Sequence, residues 1–179
     1  MSLRGVLAAL LSSSFFFSGF AAAGVVMAPD CDASEYAWTS NSRGQSACVV
    51  TAYLMSACNE GSFTINRLSP GTAYTGPSGG SADDSDLCKC NGIAYSLLSA
   101  CAACQGSGWI SWTDYSANCT QVMDAMEFPY PVPPQINVPY WAIVDVPIND
   151  TWSPSEAQSI GGQSPLLCPL LPLLSLTSF

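Results

Sequence analysis

Four closely spaced cysteines stand within residues 86–104, DLCKCNGIAYSLLSACAAC. Cys88 and Cys90 form a C-x-C pair, and Cys101 and Cys104 form a C-x-x-C pair. Cysteines at such spacing can bind zinc, carry out thiol–disulfide exchange or form structural disulfides. The redox compartment of the protein and the rest of its titratable residues decide among these chemistries.

The N-terminus predicts a secretory signal peptide over residues 1–23. Arg4 gives a basic start, an apolar run follows over residues 6–20, and three alanines end the segment. This order is typical of a cleaved signal peptide, whereas a transmembrane anchor needs a longer apolar run. We expect cleavage after Ala23, with Gly24 as the neighbouring option, and therefore a secreted or surface-exposed protein.

A secreted protein passes through oxidising compartments, so we expect the cysteines to form disulfides rather than a zinc site. The C-A-A-C pair follows an apolar helical run, whereas a redox motif usually lies at a helix N-terminus that stabilises its thiolate. Four disulfides are therefore expected, although the sequence does not choose among their pairings. The eight expected partners are Cys31, Cys48, Cys58, Cys88, Cys90, Cys101, Cys104 and Cys119, and a ninth cysteine, Cys168, lies in the C-terminal tail.

The composition argues against several classes of function. The chain contains no histidine, which excludes Ser-His-Asp and Cys-His catalysis and every zinc site that needs imidazole. Without Arg4, three basic residues stand against thirteen acidic ones, so the chain should repel nucleic acid. We expect that the protein is not an enzyme and that it binds no metal ion and no cofactor. A carboxylate pair such as Asp83 and Asp86, which glycosidase chemistry would need, is the weaker enzymatic alternative.

Two helices are predicted from caps and apolar periodicity. The first covers residues 46–59, begins at Ser46 and places Cys48 and Met55 on one face. The second covers residues 91–104, with Asn91 or Asp86 as its N-cap. Helices this short need additional support, which disulfides at their ends would supply. The residues between them predict a loop with short strands at 63–65 and 73–75.

Trp109, Trp112 and Tyr115 are spaced three residues apart, which predicts a third short helix or 3₁₀ turn with its aromatic rings on one side. A small aromatic core explains this pattern. The alternative is that Trp109 and Trp112 form a platform on which a glycan stacks.

The C-terminal third is rich in proline. Residues 127–150 predict an extended segment, with a strand at 140–146. Asn118 and Asn149 each begin an N-x-T sequon, and glycosylation is expected at both. The predicted fold is a small, disulfide-rich, mainly α domain with short helices, long Pro/Gly-rich loops and minor β structure. It spans residues 24–160, with a helical core at about 31–120 and a disordered apolar tail at 161–179.

Several segments resemble an uncharacterised family of basidiomycete cell-surface proteins: SRGQSACVVTAYLMSACNEGSFTI, GTAYTGPSGGSADDSDLCKCNGIAYSLLSACAACQG, WISWTDYSANCT and VPYWAIVDV. The resemblance implies a signal peptide, this ectodomain and one transmembrane helix, but no reaction. The chain departs from that plan after residue 161, where the apolar run is short and interrupted by prolines. This end has two interpretations. It is an alternative-splice or read-through end, or it is the signal for a lipid anchor that is attached at Ser153 or Ser155.

The D-x-C-x-C pattern and the downstream cysteines are also similar to the second half of fungal CFEM domains, some of which bind haem through an aspartate. That resemblance assigns Asp86 as a haem ligand, with Asp84 as the alternative, but the spacing of the first three cysteines differs. A second interpretation of Asp86 is a charge favoured at a helix start. The leading hypothesis is a structural or interaction module of the fungal surface, with cell-wall glycan or surface proteins as partners, and the alternative is a module that binds haem or glycan.

Overall fold

The computed structural model describes residues 24–78, 84–123, 127–143 and 146–161. The predicted signal peptide, Cys168 and the tail beyond Gly161 lie outside these ranges. The described chain is mainly helical, with minor β structure, as the sequence predicts. Its α-helices are α1 (Ala47–Ser56), α2 (Asp84–Lys89), α3 (Gly92–Cys104), α4 (Trp112–Ser116) and α5 (Pro154–Ile160); its 3₁₀ turns are Ser34–Thr39, Tyr140–Ala142 and Val146–Ile148; its strands are β1 (Val26–Met27) and β2 (Phe63–Thr64).

Helix α3 is the centre of the domain, because every one of its residues is buried. It packs against α1, the 3₁₀ turn Ser34–Thr39 and the turn Tyr140–Ala142. Asn91 caps α3 as predicted: its side-chain oxygen accepts a hydrogen bond from the Ala94 amide at 2.9 Å. Ser46 caps α1 in the same way, accepting from the Val49 amide at 3.4 Å.

The predicted strand at 63–65 is confirmed in part, since β2 covers Phe63–Thr64 and pairs in parallel with β1. The Phe63 amide donates to the Val25 carbonyl and the Ile65 amide donates to the Met27 carbonyl, both at 2.9 Å. The predicted strand at 73–75 is wrong, because these residues join no sheet.

The strand predicted at residues 140–146 is also wrong, because the described residues of this range join no sheet. In its place the chain makes the 3₁₀ turns Tyr140–Ala142 and Val146–Ile148. Trp141 and Ala142 are adjacent and both 0% exposed. A strand would direct them to opposite faces, whereas a tight turn buries both against one core. The third predicted helix forms as α4, which contains Trp112 and Tyr115 but begins after Trp109.

Helix α5 is not among the sequence predictions. Ser153 caps it by accepting from the Glu156 amide at 3.3 Å, and Pro154 stands at its first position. The pattern S-x-x-E, with proline directly after the serine, is a recognised helix start. The signal for α5 was therefore present in the sequence. Within the described ranges, no helix has the length and apolar character needed to span a membrane.

Candidate ligand-binding cavity

Four disulfides join the eight cysteines of the domain, which confirms the predicted number. The C-x-x-C cysteines are not bonded to each other, because Cys101 links α3 to α1 and Cys104 links α3 to the N-terminal segment. Bridges at both ends of residues 88–104 therefore hold the central helix. The pairs are Cys31–Cys104, Cys48–Cys101, Cys58–Cys88 and Cys90–Cys119, with Cα–Cα separations of 4.9, 4.7, 6.4 and 5.7 Å. The described residues contain no group of three metal-ligating side chains.

Asp86 lies in α2, two residues before Cys88, and its side chain is outside the described part of the structure. Haem ligation by Asp86 therefore stays a prediction, and so does its alternative role as a favourable charge at the helix start.

Trp112 is 7% exposed, and its ring lies 5.4 Å from the Tyr95 ring and 5.9 Å from the Tyr115 ring. Trp109 is half-buried, lies edge-on to Trp152 at 5.0 Å and donates its indole N–H to the Trp152 carbonyl at 3.1 Å. This burial favours the packing interpretation of Trp109 and Trp112 over an exposed glycan platform.

An aromatic cluster around Trp152, which the sequence does not predict, lies beside these residues. The Trp152 ring contacts the rings of Tyr36, Trp38, Trp109 and Trp141. These rings come from three separate parts of the chain, at residues 36–38, 109 and 141–152, so only the folded chain brings them together. They pack the N-terminal 3₁₀ turn and the proline-rich segment onto α3.

Both sequon asparagines are exposed. The Asn118 amide donates to the Pro77 carbonyl at 3.0 Å, and the Asn149 amide donates to a Glu156 carboxylate oxygen at 2.9 Å. The middle residue of the first sequon, Cys119, is bonded to Cys90. The disulfide therefore lies within the first sequon, whereas the second sequon contains no cysteine.

A cavity of about 400 Å³ opens between the segment 63–75 and the helices. Met55 of α1 and Leu98 of α3 form its floor together with Ile65, and all three side chains are buried. Lys89, at the end of α2, lies at its edge. The remaining wall is the segment itself, which contributes Phe63, Thr64, Asn66, Arg67, Leu68, Ser69, Thr72, Tyr74 and Thr75.

Gln105, just after α3, holds this wall in place. Its side-chain carbonyl accepts from the Leu68 amide at 2.9 Å, and its amide donates to the Tyr74 hydroxyl at 2.8 Å and to the Cys101 carbonyl at 2.9 Å. Tyr74 in turn donates to the Asn66 carbonyl at 2.9 Å. Partial burial raises the pKa of Tyr74, so its hydroxyl stays neutral.

The two cations of the cavity differ in their partners. Arg67 donates to an Asp32 carboxylate oxygen at 2.7 Å, and this hydrogen bond raises the pKa of the guanidinium. Lys89 makes no ion pair with any described residue. Because Arg67 is already neutralised in part, Lys89 is the group with free capacity for an anion.

Comparison with family models, with curated proteins and with solved structures found no match for this chain. Arg67, Lys89 and Gln105 are not among the residues that the sequence predicts for a site. One signal was available for the cations: only three basic residues remain after residue 23, and two of them lie within residues 67–89. Their meeting at one cavity depends on how the segment 63–75 folds against α2.

Proposed function

We propose that this protein is a secreted or surface-exposed module that acts by binding and not by catalysis, as the resemblance to fungal surface proteins implies. The observation that supports this proposal is the disulfide network. Four bridges link the N-terminal segment, α1, α2, α3 and the residues after α4. Such a network forms and persists in an oxidising compartment and makes a small domain resistant to unfolding outside the cell.

The aromatic packing supports a rigid module. Trp141 is 0% exposed and Trp152 is 2% exposed, and they fix the proline-rich segment to the helical core. The exposed loops therefore lie on a rigid core. Surfaces of this kind lose little entropy when they bind a wall polysaccharide or another surface protein.

The experiment is to express the chain with its own N-terminus in a secreting eukaryotic host and to analyse the released protein by non-reducing peptide mass spectrometry. We expect an N-terminus at or next to Gly24, the four pairings described above and Cys168 as the unbridged cysteine. Protein retained inside the cell with free thiols at Cys101 and Cys104 would overturn the proposal. Asn118→Gln and Asn149→Gln variants report glycan occupancy at each sequon by their loss of mass.

Binding to the wall is tested by co-sedimentation of the released protein with insoluble fungal wall glycan, before and after the wall is stripped of protein. Sedimentation with intact wall material is expected. Loss of binding after stripping identifies a protein partner, and retention identifies a glycan partner. Failure to sediment with either material counts against an interaction role at the wall.

A further inference from the structure

The cavity between the segment 63–75 and the helices has two chemically different parts. Its floor is apolar, because Met55, Ile65 and Leu98 are 1%, 6% and 9% exposed. Its edge is polar and cationic, with Arg67, Lys89 and the Thr72 and Thr75 hydroxyl groups. A ligand that satisfies both parts needs an apolar body and a polar or charged end.

The charge at this edge contrasts with the rest of the protein. Thirteen acidic residues stand against three basic ones after residue 23, yet two of the three basic residues line this one cavity. Asp32 occupies Arg67, and Lys89 has no carboxylate partner among the described residues. The ammonium group of Lys89 can therefore receive an anion without first breaking a described ion pair.

The size of the cavity limits the ligand class. A volume of about 400 Å³ lies within the range of small-molecule sites and is too small for a folded partner. The apolar floor argues against a free sugar, whose hydroxyl groups would lose water without gaining partners.

We propose that this cavity binds a small amphipathic carboxylate, with the apolar chain on the Met55, Ile65 and Leu98 floor and the carboxylate at Lys89. Binding of this ligand does not depend on secretion. The cavity can therefore bind it even if the proposed extracellular role is wrong, and the extracellular role can hold even if the cavity binds no carboxylate. Gln105 keeps the wall in position, and Arg67 places a second positive charge at the edge.

The first experiment measures binding to the purified, fully oxidised protein by isothermal titration calorimetry with three probes of equal chain length. These are decanoate, 1-decanol and decyltrimethylammonium, each below its aggregation concentration. Decanoate should bind with 1:1 stoichiometry, decanol more weakly, and the cation more weakly than decanol. Decanol binding as tight as decanoate would overturn the proposal, and so would the absence of decanoate binding.

A chain-length series tests the floor. Because each buried methylene adds a roughly constant apolar contribution, affinity should rise about fourfold per CH₂ from hexanoate to decanoate. Equal affinities across the series would show that the carboxylate binds without the apolar floor, which contradicts the proposal.

Three variants locate the site. Lys89→Gln should lower decanoate affinity about fivefold and leave decanol affinity unchanged. Arg43→Gln is the matched control: it removes the same charge from a residue that donates to the Pro134 carbonyl outside the cavity, and it should change neither affinity. Thr75→Trp places a large ring at an exposed position of the lining and should abolish binding of both probes.

Near-ultraviolet circular dichroism establishes that Lys89→Gln and Arg43→Gln keep the native aromatic packing. For Thr75→Trp, whose added indole changes that spectrum, a cooperative urea unfolding transition establishes that the protein is folded. Thr75→Trp protein that is folded and still binds decanoate would place the ligand elsewhere and overturn the assignment. An equal loss of decanoate affinity in Lys89→Gln and Arg43→Gln would show that the effect comes from net charge. That result would also overturn the assignment of the carboxylate to Lys89.

Discussion

The Sγ atoms of Cys48 and Cys104 lie 3.7 Å apart, although each cysteine is bonded to a different partner. The contact arises because Cys101 and Cys104 stand one helical turn apart on α3 and face the same residue of α1. The sulfur atoms of two disulfides therefore lie together at the end of the central helix.

This contact predicts a disulfide exchange in Cys31→Ser. The variant frees Cys104, whose thiolate can attack Cys48, form a Cys48–Cys104 bond and release Cys101 as a thiolate. We expect non-reducing peptide mapping to find a mixture of the Cys48–Cys101 and Cys48–Cys104 pairings. Cys58→Ser is the control: among the described residues, the contact between separate disulfides joins Cys48 and Cys104 and does not involve Cys88, so the freed Cys88 should stay a free thiol. A single native pairing in Cys31→Ser would contradict the prediction.

Gly76 is expected to be intolerant of a side chain. A Cβ atom at this position would lie 1.8 Å from the Tyr115 carbonyl oxygen, which is backbone and cannot rotate away. Gly76→Ala should lower the free energy of unfolding by about 2 kcal/mol or more in chemical denaturation. Gly108→Ala is the matched control, since a Cβ there meets no atom within 4 Å, and it should be close to neutral. Equal effects of the two substitutions would show that the close approach at Gly76 is not maintained.

Loss of the hydroxyl group should affect stability differently at two buried tyrosines. Tyr95 donates to the Ile110 carbonyl at 2.7 Å and accepts from the Trp152 amide at 3.3 Å. Tyr95→Phe leaves these buried groups without a partner and should cost about 1–3 kcal/mol. The Tyr115 hydroxyl has no partner in the described structure, so Tyr115→Phe should be neutral or slightly stabilising. Urea unfolding of the two variants measures the difference, and a Tyr115→Phe cost as large as that of Tyr95→Phe would reveal a missing partner.

Stability should fall at alkaline pH because of Tyr115. Burial, and secondarily the nearby Tyr95, raises the pKa of Tyr115 above its ordinary value, so the folded state keeps the phenol neutral. Below pH about 10 both folded and unfolded states are protonated and the group has no effect on the pH dependence. Above that value the unfolded chain loses its proton first, and the free energy of unfolding decreases as pH rises.

Tyr115→Phe should therefore flatten the decline in stability above pH 10. Urea midpoints at pH 8, 9, 10 and 10.5, with free thiols blocked to prevent exchange, give the comparison. The prediction is contradicted if the wild type and the variant lose stability with the same slope.

Gln105 should control the order of the cavity wall. Its side-chain oxygen is the acceptor for the Leu68 amide, so Gln105→Ala should increase hydrogen exchange at Leu68. Gln158→Ala, at an exposed position of α5, serves as the control and should leave the exchange of Leu68 unchanged. Protection of the Leu68 amide that survives in Gln105→Ala would show that the wall is held by its other contacts.

Local signals in the sequence account for much of the fold. Ser46 and Asn91 cap the two helices as predicted, since a cap is a contact between residues three positions apart. The strand predicted at 140–146 failed for the opposite reason. Apolar and β-branched residues there match a strand pattern, but burial of both Trp141 and Ala142 against the aromatic cluster imposes a turn.

The sequence by itself determined that eight cysteines would form four bridges and that the central helix would carry bridges at both ends. Spacing along one helix and an even number of cysteines are sufficient for those statements. Only the tertiary structure decided which cysteines pair and that Lys89 and Arg67 line one cavity with Leu98. The disulfides join residues between 29 and 73 positions apart, and Arg67 stands 22 positions before Lys89. These relationships therefore depend on how α1, α3 and the segment 63–75 pack, and packing at that range leaves no periodic pattern in the sequence.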